Sequence, residues 1–125
     1  MVEPYVLVVD DQALLREALA RWIKSLGYRS VAAESADDAI AEITREVPFA
    51  IIVDMVMPGH DGLWLLEQIR DRWPSLWVIM ASGANLDEQQ VLKARRLGAQ
   101  DFIAKPFGRE TLYQALLRAA KASAP

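Results

Sequence analysis

Five short apolar runs alternate with five amphipathic segments along the chain. Residues 5–9, 50–53, 76–81 and 101–104 are almost continuously apolar, whereas 29–33 is more polar. Apolar runs without polar alternation suit strands covered on both faces of a sheet. The run Arg29-Ser30-Val31-Ala32-Ala33 suits a sheet edge instead. Between the runs, apolar residues recur at helical spacing. Leu15, Leu19, Trp22, Ile23 and Leu26 form a first stripe, ended by Gly27. Ala36, Ala39, Ile40, Ile43 and Val47 form a second, with Ser35 placed to cap it and Pro48 to stop it. Leu65, Leu66, Ile69 and Trp73 form a third, stopped by Pro74. A thinner stripe, Val91, Ala94 and Leu97, marks a fourth helix over 87–97 that ends at Gly98. Leu112, Leu116 and Ala119 form the fifth, and 119–125 reads as a frayed helix end or the start of a linker.

Regular strand–helix alternation predicts right-handed crossovers onto one parallel sheet. The expected fold is α/β, a flavodoxin-like, doubly wound sheet of five strands in the order 2-1-3-4-5 with five helices. That order sets the first and third strands side by side at the switch point, where open α/β sheets bind ligands at their carboxyl edge. Asp10 and Asp11 follow the first strand there, and Asp54 follows the third. As isolated residues, Asp10 and Asp11 could serve as N-cap and first-turn acids, and Asp54 as a loop acid. Those roles do not account for Ser82 and Lys105, which fall at the ends of two further strands. Three clustered acids repel unless something positive sits among them. A hard divalent cation with oxygen ligands answers that need, and Mg²⁺ fits best. Acids, metal and Lys105 together describe a pocket for a phosphoryl group.

Composition narrows the alternatives. At 125 residues the chain is expected to form a single domain, 1–125, with a sizeable core. Its 53% hydrophobic and 25% charged residues exclude a disordered chain. A net charge of −3 gives no footprint for nucleic acid. With no cysteine, disulfides and thiol catalysis are excluded, which fits a cytoplasmic setting. No apolar stretch is long enough to span a bilayer, and Met1-Val2-Glu3-Pro4 does not read as a signal peptide.

Four segments carry a resemblance to a known family. They are Val8-Val9-Asp10-Asp11; Val53-Asp54 with Met57-Pro58-Gly59-His60-Asp61-Gly62; Met80-Ala81-Ser82-Gly83-Ala84; and Gly98-Ala99-Gln100-Asp101-Phe102-Ile103-Ala104-Lys105-Pro106-Phe107. In this order and spacing the chain resembles the receiver domain of bacterial two-component response regulators. The resemblance implies that Asp54 accepts the phosphoryl group. Asp10, Asp11 and Asp54 would hold Mg²⁺, with the backbone carbonyl of Val56 as a further ligand. Lys105 and Ser82 would neutralise phosphoryl oxygens. A sensor histidine kinase or a histidine phosphotransfer protein would be the donor, and a phosphorylation-dependent dimer stays open. Such a domain is a signalling switch rather than an enzyme. Ser82 and Phe102 would form the switch, read out on the face of the fourth helix, fifth strand and fifth helix, with Arg95, Arg96 and Asp101 on it. Phenylalanine at 102 has no hydroxyl, so its movement is expected to depend on packing alone. A cis Lys105–Pro106 bond would aim the lysine inward while the chain turns towards Phe107.

Rival readings fit less well. A haloacid-dehalogenase-type phosphatase needs a second carboxylate two residues after the nucleophile, where this chain has Val56. A flavodoxin-like carrier needs a Ser/Thr/Gly-rich phosphate loop, where this chain has Asp10-Asp11-Gln12-Ala13. A receiver-like interaction module that is never phosphorylated is the remaining alternative. His60, the only histidine, lies in a Pro-Gly turn without partners at metal spacing and reads as a turn residue. Trp22 and Trp73 are expected in the core, and Trp64 and Trp77 partly exposed.

Overall fold

A computed structural model describes residues 4–83 and 87–123. In chain order the elements are β1 (Tyr5–Val9), α1 (Ala13–Ser25), β2 (Arg29–Ala33), α2 (Ala36–Arg45), β3 (Ala50–Asp54), α3 (Gly62–Arg72), β4 (Trp77–Ser82), α4 (Glu88–Arg96), β5 (Asp101–Ala104) and α5 (Arg109–Ser123). All strand pairs are parallel, in the order β2-β1-β3-β4-β5. The expected sheet order and its polar edge strand are both present.

The apolar runs of β1 and β3 are buried at every position because helices cover both faces. Tyr5, Leu7, Val9, Ile51 and Val53 face a core shared with Ala39 and Ile43 of α2, Leu65, Leu66 and Ile69 of α3, and Ala94 of α4. Val6, Val8 and Ile52 face the opposite core, with Leu19 and Ile23 of α1 and Leu112, Ala115 and Leu116 of α5. Alternation along each strand thus feeds two cores.

Helix starts follow from side-chain chemistry. The Ser35 hydroxyl accepts from the Asp38 N–H at 3.1 Å, as expected, and Asp61 caps α3 by accepting from the Trp64 N–H at 2.9 Å. Each such cap stabilises its helix by about 1 kcal/mol. The N-cap of α1 is Gln12 and its first turn carries no acid, so capping does not explain Asp10 and Asp11.

Several boundaries differ from the sequence reading. β4 begins at Trp77 rather than at 76, because the Leu76 N–H closes a turn onto the Trp73 carbonyl. β3 extends by one residue to Asp54, which pairs with Ala81. α2 ends at Arg45 and α3 at Arg72, short of their prolines, since the residue before proline disfavours helical backbone. α5 continues as helix to Ser123, with Ala119 fully buried and 121–123 exposed. β5 is the second sheet edge, and Ala104 is exposed rather than covered on both faces. Trp22 and Trp73 are half-buried flanks of the two cores rather than their centres, while Trp64 and Trp77 are half-buried as expected.

One arginine ties the α3–α4 side together. Arg70 donates to the carbonyls of Pro74 (3.2 Å), Leu76 (2.8 Å) and Gly98 (2.8 Å), and to the Gln100 side-chain oxygen. Gln100 in turn accepts from the Val78 N–H at 2.8 Å. Burial alone lowers the pKa of the Arg70 guanidinium from its ordinary value.

Candidate functional site

β1 and β3 are neighbours, and their carboxyl ends deliver Asp10 and Asp54 to one point. Asp10 is only 3% exposed and Asp54 6%, whereas Asp11 is exposed. One carboxylate oxygen from each of the three lies within 4.8 Å of the others, so the group could hold a metal ion. An all-oxygen set with one exposed member suits a hard cation that keeps part of its water shell.

β5 supplies the positive charge. Lys105 Nζ donates to Asp10 Oδ2 at 2.8 Å and to Asp54 Oδ2 at 3.1 Å. Its backbone N–H donates to the Ser82 carbonyl at 2.7 Å, and the Lys105–Pro106 bond is cis, as expected. Burial depresses the lysine, but its hydrogen bonds and charge contacts with Asp10 and Asp54 outweigh that and raise its pKa above 10.5. Burial raises the Asp54 pKa, and the Asp10 charge adds to the rise. The Val56 N–H, which donates to Asp54 Oδ1 at 3.2 Å, and Lys105 oppose it only in part. One lysine therefore does not balance the acids, and the site retains a demand for further positive charge.

Asp11, Gln12, Leu15, Asp54, Val56, Gly83, Lys105, Pro106 and Phe107 line a cleft of about 630 Å³ over these groups. Val56 stands 67% exposed at its mouth. Ser82 ends β4 half-buried, one register position beyond the Ala81–Asp54 pair. Phe102 is half-buried on β5 against the α2–α4 core, with the Arg95 guanidinium 4.9 Å from its ring centre. That cation–π contact adds to the packing around the ring in this position. Arg95 and Arg96 are exposed on α4, and Asp101 pairs with Arg118 of α5 at 2.6 Å. His60 stays outside the cleft lining, stacked on Trp64 at 3.7 Å with Nδ1 3.2 Å from Asp37.

Two supports escaped the sequence reading. Gly62 opens α3 against the end of β3, where a Cβ would meet the Asp54 carbonyl oxygen at 2.5 Å and Met55 Cα at 2.7 Å. A poor helix former at the first position of a helix was the signal. Arg16 of α1 donates to the Asp10 carbonyl at 2.7 Å, which no periodicity reveals.

Residues 6–117 match the response regulator receiver domain family. The chain belongs to that family, a module of two-component signalling. It is 38% identical over 120 residues to the response regulator protein FleR of Pseudomonas aeruginosa, covering 96% of this chain and 25% of FleR. It is 36% identical over 117 residues to the chemotaxis protein CheY of Listeria monocytogenes, covering 93% of this chain and 98% of CheY. The receiver domain of NtrX from Brucella abortus superimposes with a TM-score of 0.88 at 36% identity, over 94% of this chain and 99% of that one. The chain thus spans about a quarter of the length of the longer regulators it matches and nearly all of the single-domain one. Among the described residues, no helix is long and apolar enough to cross a membrane.

Proposed function

We propose that this domain, folding as one unit over 1–125, is a Mg²⁺-dependent phosphate-accepting switch with Asp54 as the acceptor. The observation that carries the reading is the buried contact of Lys105 with both Asp10 and Asp54 beneath an open cleft, beside a third acid. Asp10, Asp11 and Asp54, with the Val56 carbonyl, would hold the cation. When bound, Mg²⁺ supplies charge neutralisation for the acids and for the incoming phosphoryl oxygens.

The protein's own groups do the rest. An Asp54 carboxylate oxygen forms a bond to phosphorus as the P–N bond to a phosphohistidine donor breaks. The imidazole leaves with the electron pair and takes up a proton from solvent. Lys105 keeps its charge throughout the physiological range and neutralises a second oxygen as a compact point charge. The Ser82 hydroxyl donates to a third. Such transfer needs position and charge more than covalent help. The donor is a sensor histidine kinase or a histidine phosphotransfer protein, and the domain acts as a signalling switch rather than on a separate substrate. Movement of Ser82 towards the phosphate draws Phe102 with it, and the signal leaves on the α4–β5–α5 face.

The test is incubation with acetyl phosphate and Mg²⁺, read by intact mass. One hydroxylamine-labile phosphoryl group is expected on the wild type and none on Asp54→Asn. Label that persists in the variant refutes the acceptor. A wild type that takes no label favours an interaction module instead.

A further inference from the structure

Asp10 is held at every polar atom. Its N–H donates to the Ala33 carbonyl at 3.2 Å, Oδ1 accepts from the Gln12 N–H at 2.8 Å, and Oδ2 accepts from Lys105 Nζ at 2.8 Å. The remaining atom, its carbonyl oxygen, accepts from Arg16 Nη1 at 2.7 Å. That carbonyl belongs to the peptide joining Asp10 to Asp11. Of the four contacts, only Arg16 acts on the plane that leads to the next residue. Asp11 is exposed and precedes the α1 N-cap Gln12, so its direction is set by the backbone rather than by burial.

The Arg16 side chain is itself only 19% exposed and has Glu34 Oε2 4.0 Å away, on a side chain that is 72% exposed. That distant, solvated carboxylate leaves the guanidinium directed to the Asp10 carbonyl. We infer that Arg16 is a positioning residue that aims Asp11 at the cation by fixing the Asp10–Asp11 peptide. The inference rests on the Mg²⁺ reading of the site. Without Arg16 the carbonyl turns to water, the peptide plane is released, and the Asp11 carboxylate spends less time beside Asp10 and Asp54. Groups that orient a ligand in this way typically change metal affinity 10- to 100-fold when removed. Lysine keeps the charge but ends in a compact ammonium of shorter reach on a more flexible stem, so it separates position from charge.

The experiment is calorimetric titration with Mg²⁺ alone on the wild type, Arg16→Ala, Arg16→Lys and Glu34→Gln, with thermal unfolding in the absence of Mg²⁺ alongside. Arg16→Ala is expected to raise the Mg²⁺ dissociation constant about tenfold. Arg16→Lys is expected to recover only part of that loss, and Glu34→Gln to keep the wild-type dissociation constant. Labelling of Arg16→Ala by acetyl phosphate is slow at low Mg²⁺ and approaches the wild-type rate at saturation. A dissociation constant for Arg16→Ala within twofold of the wild type overturns the inference, as does full recovery by lysine. If Arg16→Ala fails to fold, an Arg16→Lys constant equal to that of the wild type overturns it. A wild type that binds no Mg²⁺ overturns the cation reading of the site instead, a result distinct from either.

Discussion

Replacing Lys105 by methionine keeps the unbranched stem, one atom shorter, and removes its charge. The lysine side chain is 17% exposed, and its partners Asp10 and Asp54 are 4% and 8% exposed. Removing one partner of so buried a pair leaves two desolvated carboxylates facing each other, and the loss is about 3 kcal/mol without Mg²⁺. At about 2.1 cal/mol/K per residue, a chain of 125 residues has an unfolding entropy near 0.26 kcal/mol/K, so the Tm falls by roughly 11 °C. Mg²⁺ is the second source of positive charge, so adding it at millimolar concentration should raise the Tm of Lys105→Met more than that of the wild type. The pH dependence has a fixed sign. The Lys105 pKa is raised on folding, so its contribution is complete below pH 10.5 and is lost as the pH rises through the higher folded value. Wild-type stability should therefore fall in that alkaline range more steeply than that of Lys105→Met. Thermal melts with and without Mg²⁺ check the first part and urea melts between pH 9 and 12 the second, taking those limits as roughly bracketing the lysine range. A variant as stable as the wild type without Mg²⁺, or one destabilised equally with and without it, refutes the charge argument.

Two further outcomes follow from local geometry. Gly62→Ala should lose about 1–3 kcal/mol, since its Cβ meets backbone atoms that have no side-chain freedom to yield, and a urea midpoint unchanged from the wild type would refute the close approach. Arg95→Ala removes a cation–π contact worth about 0.5–1 kcal/mol at an exposed site and, on the proposed switch, should shift the balance of Phe102 ring positions by about two- to fivefold. Fluorine NMR of fluorophenylalanine-labelled protein reads that shift, and an unmoved Phe102 line would show that the arginine does not hold the ring.

Most of the fold is legible because burial on both faces writes itself into composition. β1 and β3 are apolar at nearly every position, and the bounds of β1, β2 and β5 agree with the apolar runs. Where backbone hydrogen bonds rather than side-chain polarity decide, the reading slips by a residue, as at Leu76 and Asp54. Ala119, expected on the apolar stripe of α5, packs with no exposure, and the helix runs on to Ser123 through the exposed residues 121–123. The grouping of the acids with Lys105 was accessible from strand ends and sheet order. The contacts of Arg16 and Arg95 were not, since each joins segments whose relative placement only the folded chain defines, whereas Gly62 left its signal as a poor helix former at the start of α3. Ala84, in one of the four segments that carry the family resemblance, lies outside the described residues.

The Arg70 clamp has a consequence for how the domain answers its surroundings. All four of its acceptors are neutral oxygens, whereas the Asp10, Asp54 and Lys105 contacts are between full charges. The Lys105 pair is buried and in direct contact, so mobile ions screen it little, but a further charge placed in the cleft acts on it strongly and acts on short hydrogen bonds to carbonyl oxygens far less. The α3 end and the α4–β5 turn are therefore fastened by a joint indifferent to charge, while the strand tips are fastened by one that answers to it. A charge arriving in the cleft loosens or tightens one end of the sheet and leaves the other a fixed reference.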